Sequence, residues 1–217
     1  MTIVNLLLPP KSPSLLIAPK EYDPFYLDQL NSILRLYFNR IDTTFQSLVG
    51  TAGTGGGKFL LFPYGSFADS TDQTLAGANT PQVITLDTTN LSSGLELSGG
   101  SKITINTAPG IYNFTFTGQF TNTSAATEDS RVWMKLNGTN VVGSTTFVGV
   151  VAKHAAVNGH TIRSVSYMVS MTLKDYIQFW WEADSTAVSL ESIVAAGGYP
   201  TTPSVSVSVA FVSALAE

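Results

Sequence analysis

The sequence predicts a mainly β protein, a sandwich or jelly roll, preceded by an extended arm and one long α-helix. Three observations support this prediction. Four prolines fall within residues 1–22, apolar residues then recur every three or four positions up to residue 48, and from residue 58 onward they recur at every second position. Turn residues interrupt this last pattern about every ten positions, which is typical of short antiparallel strands.

The composition is that of a globular protein. The chain has 217 residues, of which 44% are hydrophobic and 12% charged, and a net charge of −4. A nucleic-acid surface would need clustered lysine and arginine, so no nucleic acid is expected as a partner. The chain contains no cysteine, which excludes disulfides, thiolate metal ligands and a cysteine nucleophile. No apolar run approaches the ~20 residues of a membrane-spanning helix, and we expect no membrane association.

Residues 1–22 are predicted to form an extended arm. Pro9, Pro10, Pro13 and Pro19 favour extended chain and leave the segment without a core of its own. A terminal segment of this kind becomes ordered only when a surface holds it. We therefore expect the arm to lie on a large ordered surface.

Residues 23–49 are predicted to form a helix. Asp23 suits the N-cap position, Pro24 suits the first helical position, and Gly50 suits the end of the helix. Apolar residues at alternating spacings of three and four predict a heptad seam through Leu27, Leu30, Leu34, Tyr37 and Ile41.

The apolar surface of this helix is wider than one partner face would cover. Outside the seam the helix carries Phe25, Tyr26, Ile33, Leu36 and Phe38. The alternative is a single amphipathic helix packed on its own domain, and the glycine run that follows the helix argues against it. We expect three copies of the helix to pack together as a trimeric anchor.

The run "GTAGTGGGKF" at residues 50–59 is predicted to contain a hinge, at residues 50–58, between the helix and the sandwich. A phosphate-binding loop would need glycine at the position of Ala52 and a hydroxyl residue at the position of Phe59, so the run does not match that motif. Glycine permits backbone angles closed to other residues, which suits a change of direction at Gly53, Gly55, Gly56 and Gly57.

Residues 59–217 are predicted to form the sandwich. Apolar and polar side chains alternate in four segments, at residues 112–120, 165–171, 177–181 and 205–211. Each of these strands is therefore expected to place one face on the core. Asn137-Gly138 follows a fifth alternating segment and is a strong signal for a hairpin turn.

Four stretches of the sandwich resemble a known family in order and spacing. "APGIYNFTF", "VWMKLNGT", "VSYMVSMTLKDYIQFWW" and "SVSVAFVSAL" are similar to the tumour-necrosis-factor-like jelly roll, in particular the globular heads of complement and collagen-like proteins, over residues 80–215. The resemblance implies a homotrimer. The family has a glycine before the aspartate of a late turn, whereas here Lys174 precedes Asp175, which leaves the form of that turn open.

Two further stretches resemble phage proteins. "GSFADSTDQTLAGANTPQVITLDTTNLSSGLELSGGSKITI" is similar to domains common in tailed-phage structural proteins. "LIAPKEYDPFYLDQLNSILRLYFNRID" is similar to the N-terminal segment of small virion proteins from marine podoviruses, including cyanophages. These resemblances imply a virion protein made in the host cytoplasm, with other virion proteins as partners, the major capsid protein above all.

The sequence contains no recognisable catalytic or metal site. The only two histidines, His154 and His160, lie in a predicted loop, and two ligands alone do not make a zinc site. Glu128 and Asp129 lie in a predicted polar connection and lack the opposed geometry of a glycosidase. We therefore expect no cofactor, no metal and no enzymatic activity.

The alternation also predicts which side chains face away from the core. Trp133 and Trp180 lie opposite the apolar set of their strands and form a candidate outer contact surface, unless loops or an adjacent copy cover them. In the resembled fold, these two strands are neighbours in the outer sheet. The inner-sheet strands carry short polar side chains that suit close approach around a trimer axis: Asn113, Thr115, Thr117, Ser166, Ser170, Ser206 and Ser208.

Two functions are open at this point. The first is a capsid decoration (cement) protein, whose arm and helix grip the shell while the jelly rolls stand outside it. The second is a short tail or head fibre or spike, whose jelly roll binds a host receptor or surface glycan. The proline-rich arm favours decoration, because such an arm needs a large surface beneath it.

Overall fold

The computed structural model describes residues 11–17, 20–49 and 62–214. The chain divides into two compact units, Met1–Leu61 and Phe62–Glu217. The predicted hinge, including Gly53, Gly55, Gly56 and Gly57, lies outside the described residues, as do residues 1–10 of the predicted arm.

The first unit contains one helix, α1 (Pro24–Val49). Asp23 is its N-cap, as predicted, because its Oδ1 accepts a hydrogen bond from the N–H of Phe25 at 2.9 Å. Residues 11–17 have no regular secondary structure. Tyr26 Oη of the helix donates a hydrogen bond of 3.4 Å to the carbonyl of Leu16 in this segment.

The second unit contains strands in two antiparallel sheets. In chain order the strands are β1 (Tyr64–Asp69), β2 (Gln73–Thr74), β3 (Gln82–Val83), β4 (Thr88–Ser93), β5 (Leu95–Ser98), β6 (Lys102–Ile105), β7 (Gly110–Asn122), β8 (Glu128–Leu136), β9 (Thr139–Asn140), β10 (Thr146–Val150), β11 (Gly159–Met171), β12 (Tyr176–Ala183), β13 (Val188–Leu190) and β14 (Val205–Ser213). The inner sheet contains β1, β2, β4, β7, β11, β13 and β14, and the outer sheet contains the others.

The strand order is that of a jelly roll. The body of the sandwich consists, in chain order, of β1, β6, β7, β8, β10, β11, β12 and β14. In the inner sheet the first, eighth, third and sixth of these are neighbours, as β1-β14-β7-β11. In the outer sheet the second, seventh, fourth and fifth are neighbours, as β6-β12-β8-β10. Two interleaved Greek keys give this order, so the predicted jelly roll is confirmed.

The core lies between the sheets and is rich in aromatic rings. Phe116 of β7 stacks on Phe179 of β12 with ring centroids 5.2 Å apart, and Phe120 meets the edge of Trp181 at 6.2 Å. Gly118 separates the two β7 rings, and a Cβ there would lie 2.8 Å from Cζ of Phe116. The glycine is therefore part of the packing of the central strand.

Two of the turns with left-handed backbone angles bear on the predictions. Asn137 and Gly138 have φ of 50° and 82°, which fits the predicted hairpin turn between β8 and β9. Lys174 has φ of 74°, at the position where the family resemblance leads one to expect glycine. The late turn thus keeps a glycine-like backbone without the glycine.

Two local predictions are wrong. His160 does not lie in a loop but near the start of β11, opposite Thr121 of β7, because the Asn158-Gly159 pair ends the preceding loop instead of centring it. Glu128 and Asp129 do not form a connection but open β8, because pairing with β10 extends the ladder into these polar residues.

Candidate contact surfaces

The helix presents an apolar surface. Of the predicted seam, Leu27 is exposed and Leu30, Leu34, Tyr37 and Ile41 are half-buried. More than half of the side-chain surface is exposed at three apolar positions outside the seam, Phe25, Leu36 and Phe38. An isolated helix with this much apolar exposure gains stability from helical partners.

The outward face of the inner sheet carries rows of hydroxyl groups. Ser66, Ser208, Thr115 and Ser166 lie side by side across β1, β14, β7 and β11. Thr115 Oγ1 and Ser166 Oγ lie within 2.8 Å of each other. A parallel row contains Ser206, Thr117 and Ser164, with a hydrogen bond of 3.0 Å from Thr117 to Ser164. We call this surface the hydroxyl face.

The structure brings all seven residues of the predicted inner-sheet seam onto the hydroxyl face. Asn113 and Ser170 complete the set, on β7 and β11, beside the two hydroxyl rows. Their role between subunits stays a prediction.

The hydroxyl face is uncharged. The outward positions of β1, β7, β11 and β14 hold no Lys, Arg, Asp or Glu. Two titratable side chains lie among them: Tyr64 of β1, and His160, whose Nδ1 lies 3.2 Å from Oε2 of Glu191 at one end of the face. Two large apolar side chains of β11 also point outward, Ile162 (67% exposed) and Met168 (71% exposed). The sequence did not predict that these two side chains are exposed, because the short polar residues between them defined the outward face.

The outer sheet brings the two predicted tryptophans together. Trp133 of β8 lies directly opposite Trp180 of β12, and both are half-buried on the face away from the core. Their neighbours along each strand, such as Met134 and Phe179, are buried in the core. Trp133 Nε1 donates a hydrogen bond of 3.2 Å to Asn140 Oδ1. The two indoles therefore share one outward surface, and its use as a contact surface stays a prediction.

A lysine covers part of this aromatic pair. Nζ of Lys135 lies 3.6 Å from the ring centroid of Trp180, which is a cation–π contact. Trp180 Nε1 is buried without a hydrogen-bond partner among the described residues. Beside it, Gln178 Nε2 donates a hydrogen bond of 2.9 Å to Ser101 Oγ. The sequence could not show the lysine contact, because it depends on the register between β8 and β12.

Two more cations lie over aromatic rings on the same face. Lys102 lies 4.6 Å from the ring centroid of Tyr176, and Arg131 lies 5.2 Å from that of Phe147. All three cation–π contacts among the described residues therefore lie on this one face.

Only one of these cations is balanced by carboxylates within the described residues. Arg131 lies 2.8 Å from Asp184 and 3.3 Å from Glu182, and its hydrogen bond with Asp184 raises the pKa of the guanidinium. Lys102 and Lys135 have no such ion pair in the described part of the chain. The outer face thus combines half-exposed rings with two lysines that form no ion pair in the described part of the chain.

No group of three or more histidine or carboxylate side chains lies close enough to hold a metal ion in the described ranges. The buried carboxylate of Asp69 accepts hydrogen bonds from Thr71 and from Thr85 Oγ1, so its role is to fix the loops beside β1. No helix among the described residues is long and apolar enough to span a membrane.

No protein-family profile matches the sequence, and no curated protein is significantly similar to it. Among solved structures the chain is similar to murine APRIL, a jelly-roll protein of the tumour-necrosis-factor family, in crystal structures at pH 8.0 and at pH 5.0. Each match has 10% identity and a TM-score of 0.46, and it covers 70% of this chain and 99% of the APRIL chain. The jelly-roll assignment rests on the strand order given above.

Proposed function

We propose that the chain is a non-enzymatic, homotrimeric structural protein of a virion, and that it decorates the capsid. The observation that carries the proposal is the hydroxyl face. Its hydroxyl rows consist of short uncharged side chains, and the larger outward side chains Ile162 and Met168 are apolar, so three copies can bring these faces together without burying an unpaired charge. Homo-oligomer interfaces are depleted in charged residues in the same way.

The helix supports the same assembly. Burying a leucine side chain contributes about 2 kcal/mol, so a seam of Leu27, Leu30 and Leu34 from three chains stabilises a helix bundle substantially. The resemblance to the N-terminal part of podovirus virion proteins covers residues 16–42, which include the end of the arm and most of the helix. The arm and helix are the proposed grip on the shell, with the jelly rolls displayed outside.

The mass of the full chain tests the trimer. We expect sedimentation equilibrium to give three times the chain mass of 23.1 kDa. Immunogold labelling of intact phage particles with an antibody against the chain then tests the location, and we expect label over the head. A monomeric chain contradicts the trimer, and particles without label contradict the virion role.

The second candidate function is a short fibre or spike that binds a host receptor or glycan. The outer face favours it, because tryptophan faces stack on sugar rings and the unpaired lysines suit polar ligands. Label restricted to the tail or to fibres would select this function over decoration.

A further inference from the structure

The chain contains two asparagine-glycine pairs, Asn137-Gly138 and Asn158-Gly159. In such a pair the backbone nitrogen of the glycine can attack Cγ of the asparagine side chain. A C–N bond forms, and the side-chain nitrogen leaves as ammonia with the proton of the backbone N–H. Water then opens the cyclic imide at either carbonyl carbon and leaves aspartate or isoaspartate. Glycine permits the attack because it has no side chain to block it.

The side chain of Asn137 is held by two hydrogen bonds. Its Nδ2 donates to Asp175 Oδ1 at 2.7 Å, and its Oδ1 accepts from the N–H of Tyr176 at 3.0 Å. The first of these bonds is charge-assisted and therefore stronger than a bond between neutral groups. Rotation of Cγ of Asn137 toward the nitrogen of Gly138 would break both bonds.

The side chain of Asn158 has no hydrogen bond to another described residue. Asn158 and Asn137 are both exposed, so exposure does not distinguish the two pairs. Asn158 follows a turn that His154 and Val157 close with backbone hydrogen bonds of 2.9 and 3.0 Å. The turn fixes the backbone before Asn158 and leaves its amide group able to rotate toward the nitrogen of Gly159.

Gly159 lies at the end of a ladder. Gly159 and Asn122 form the end pair between β11 and β7, and the ends of a ladder open more readily than its centre. Glycine is also required at this position, because a Cβ at residue 159 would collide with the carbonyl of Val151. Packing therefore retains a glycine directly after an asparagine whose side chain is unrestrained.

We propose that Asn158 is a site of spontaneous deamidation and that the hydrogen bonds of Asn137 protect the other pair. The product carries a new carboxylate in the loop that enters β11, two positions before His160. The reaction consumes only water, which reaches an exposed residue, and it needs no second copy and no other virion protein. It is therefore independent of the proposed function.

Peptide mapping by mass spectrometry tests the difference between the two pairs. The full-length folded chain is incubated at mildly alkaline pH, and the conversion of each asparagine is followed over time. We expect Asn158 to convert at least about 10-fold faster than Asn137, because two hydrogen bonds must break before Asn137 reacts. Equal rates at the two asparagines in the folded chain would overturn the proposal.

The unfolded chain is the matched control. In concentrated urea we expect both asparagines to convert at similar rates, because each precedes a glycine and neither is held by the fold. A preference for Asn158 that persists in urea would assign the difference to the local sequence and contradict protection by structure. We also expect folded Asn158→Gln to lose most of the isoaspartate that forms in the wild-type chain.

A second variant tests the protection of Asn137. Asp175→Ala removes the acceptor for Asn137 Nδ2, so we expect the conversion of Asn137 to accelerate toward that of Asn158. Asp28→Ala removes an exposed carboxylate of α1 and should leave both rates unchanged. Equal conversion of Asn137 in these two variants would contradict protection by the hydrogen bond to Asp175.

Discussion

At the scale of single residues, Lys174 holds a backbone conformation that is unfavourable for lysine. Its φ of 74° lies in the left-handed region, where a Cβ crowds the backbone. The surrounding turn keeps it there, since the N–H of Lys174 donates to the carbonyl of Ile105 at 2.8 Å and its Nζ donates to Asn106 Oδ1 at 2.8 Å.

Replacing this lysine by glycine should stabilise the sandwich. We expect Lys174→Gly to raise the free energy of unfolding by about 1 kcal/mol, because glycine adopts this φ without strain. Tryptophan fluorescence during urea unfolding measures this free energy, since Trp133, Trp180 and Trp181 all lie in the sandwich. The control is Lys174→Ala, which loses the ammonium but keeps the Cβ. Equal stability of the two variants would show that the turn is unstrained.

Asp175 should make the fold sensitive to acid. Hydrogen bonds from the N–H of Thr172 and from Asn137 Nδ2, each of 2.7 Å, lower the pKa of its carboxyl below the ordinary 3.8. A carboxylate with a lowered pKa in the folded chain stabilises the fold above its unfolded pKa, and this contribution is lost as the pH falls through the folded value.

Comparing Asp175→Asn with wild type isolates the effect of this carboxylate on stability from the effects of the other acidic groups. We expect the variant to be less stable than wild type at pH 7, and the difference to shrink as the pH falls below about 4. Urea midpoints of both chains across this range provide the measurement. A difference that stays constant down to pH 2 would mean that Asp175 does not titrate in the expected way.

At the scale of elements, the sequence predicts long strands better than short ones. The period of two in β7, β12 and β14 shows which face meets the core, because each strand is long enough to alternate several times. β2, β3 and β9 have only two residues each, and no period exists at that length. The pairing of β2 and β3 depends on partners far along the chain, such as β13 for β2, whereas β9 pairs with β8 through the predicted hairpin turn.

The contact surfaces could likewise be predicted only where they lie on long alternating strands. Alternation placed Trp133 and Trp180 on one side, and the register between β8 and β12 then set them opposite each other. A two-stranded ribbon at residues 192–203, between β13 and β14, could not be predicted, because glycines and prolines interrupt any alternation there. Its order comes from a tight turn and from hydrogen bonds to Gln119, which neighbouring residues in the sequence do not indicate.

The helix seam yields a test of its own. We expect Leu34→Glu to weaken self-association of the full chain about 100-fold, because a carboxylate would be buried between helices. Gln29→Glu adds the same charge at an exposed position outside the seam and should have little effect. Sedimentation equilibrium of both variants distinguishes a seam from a solvent-facing helix, for which the two would behave alike.

At the scale of the whole molecule, the two outward faces of the sandwich differ in chemistry. The hydroxyl face is uncharged and carries mostly short side chains beside Ile162 and Met168, whereas the outer sheet carries tryptophans and cations such as Lys135. Surfaces this different suit different partners. Under the proposed function, the first face meets copies of the same chain and the second meets another molecule.

Removing both indoles should separate assembly from attachment. We expect Trp133→Ala with Trp180→Ala to keep the sedimentation mass of wild type and to weaken attachment to the particle or host surface at least about 10-fold. The matched control, Trp133→Phe with Trp180→Phe, keeps aromatic rings and should retain most of the binding. A double alanine variant that sediments as a monomer would reverse the assignment of the two faces.

The position of β1 also determines how the sandwich would carry mechanical load. β1 follows Phe62 and is paired on both sides, with β14 and with β4. A pull on Phe62 along the strand axis would shear both ladders at once, whereas a pull across the strand would break their hydrogen bonds one after another. Tyr64 lies opposite Ala210, so a tag fused after β14 would emerge beside the start of β1. A fused cargo would then lie at the end of the sandwich where β1 begins and β14 ends, and the opposite end would stay free.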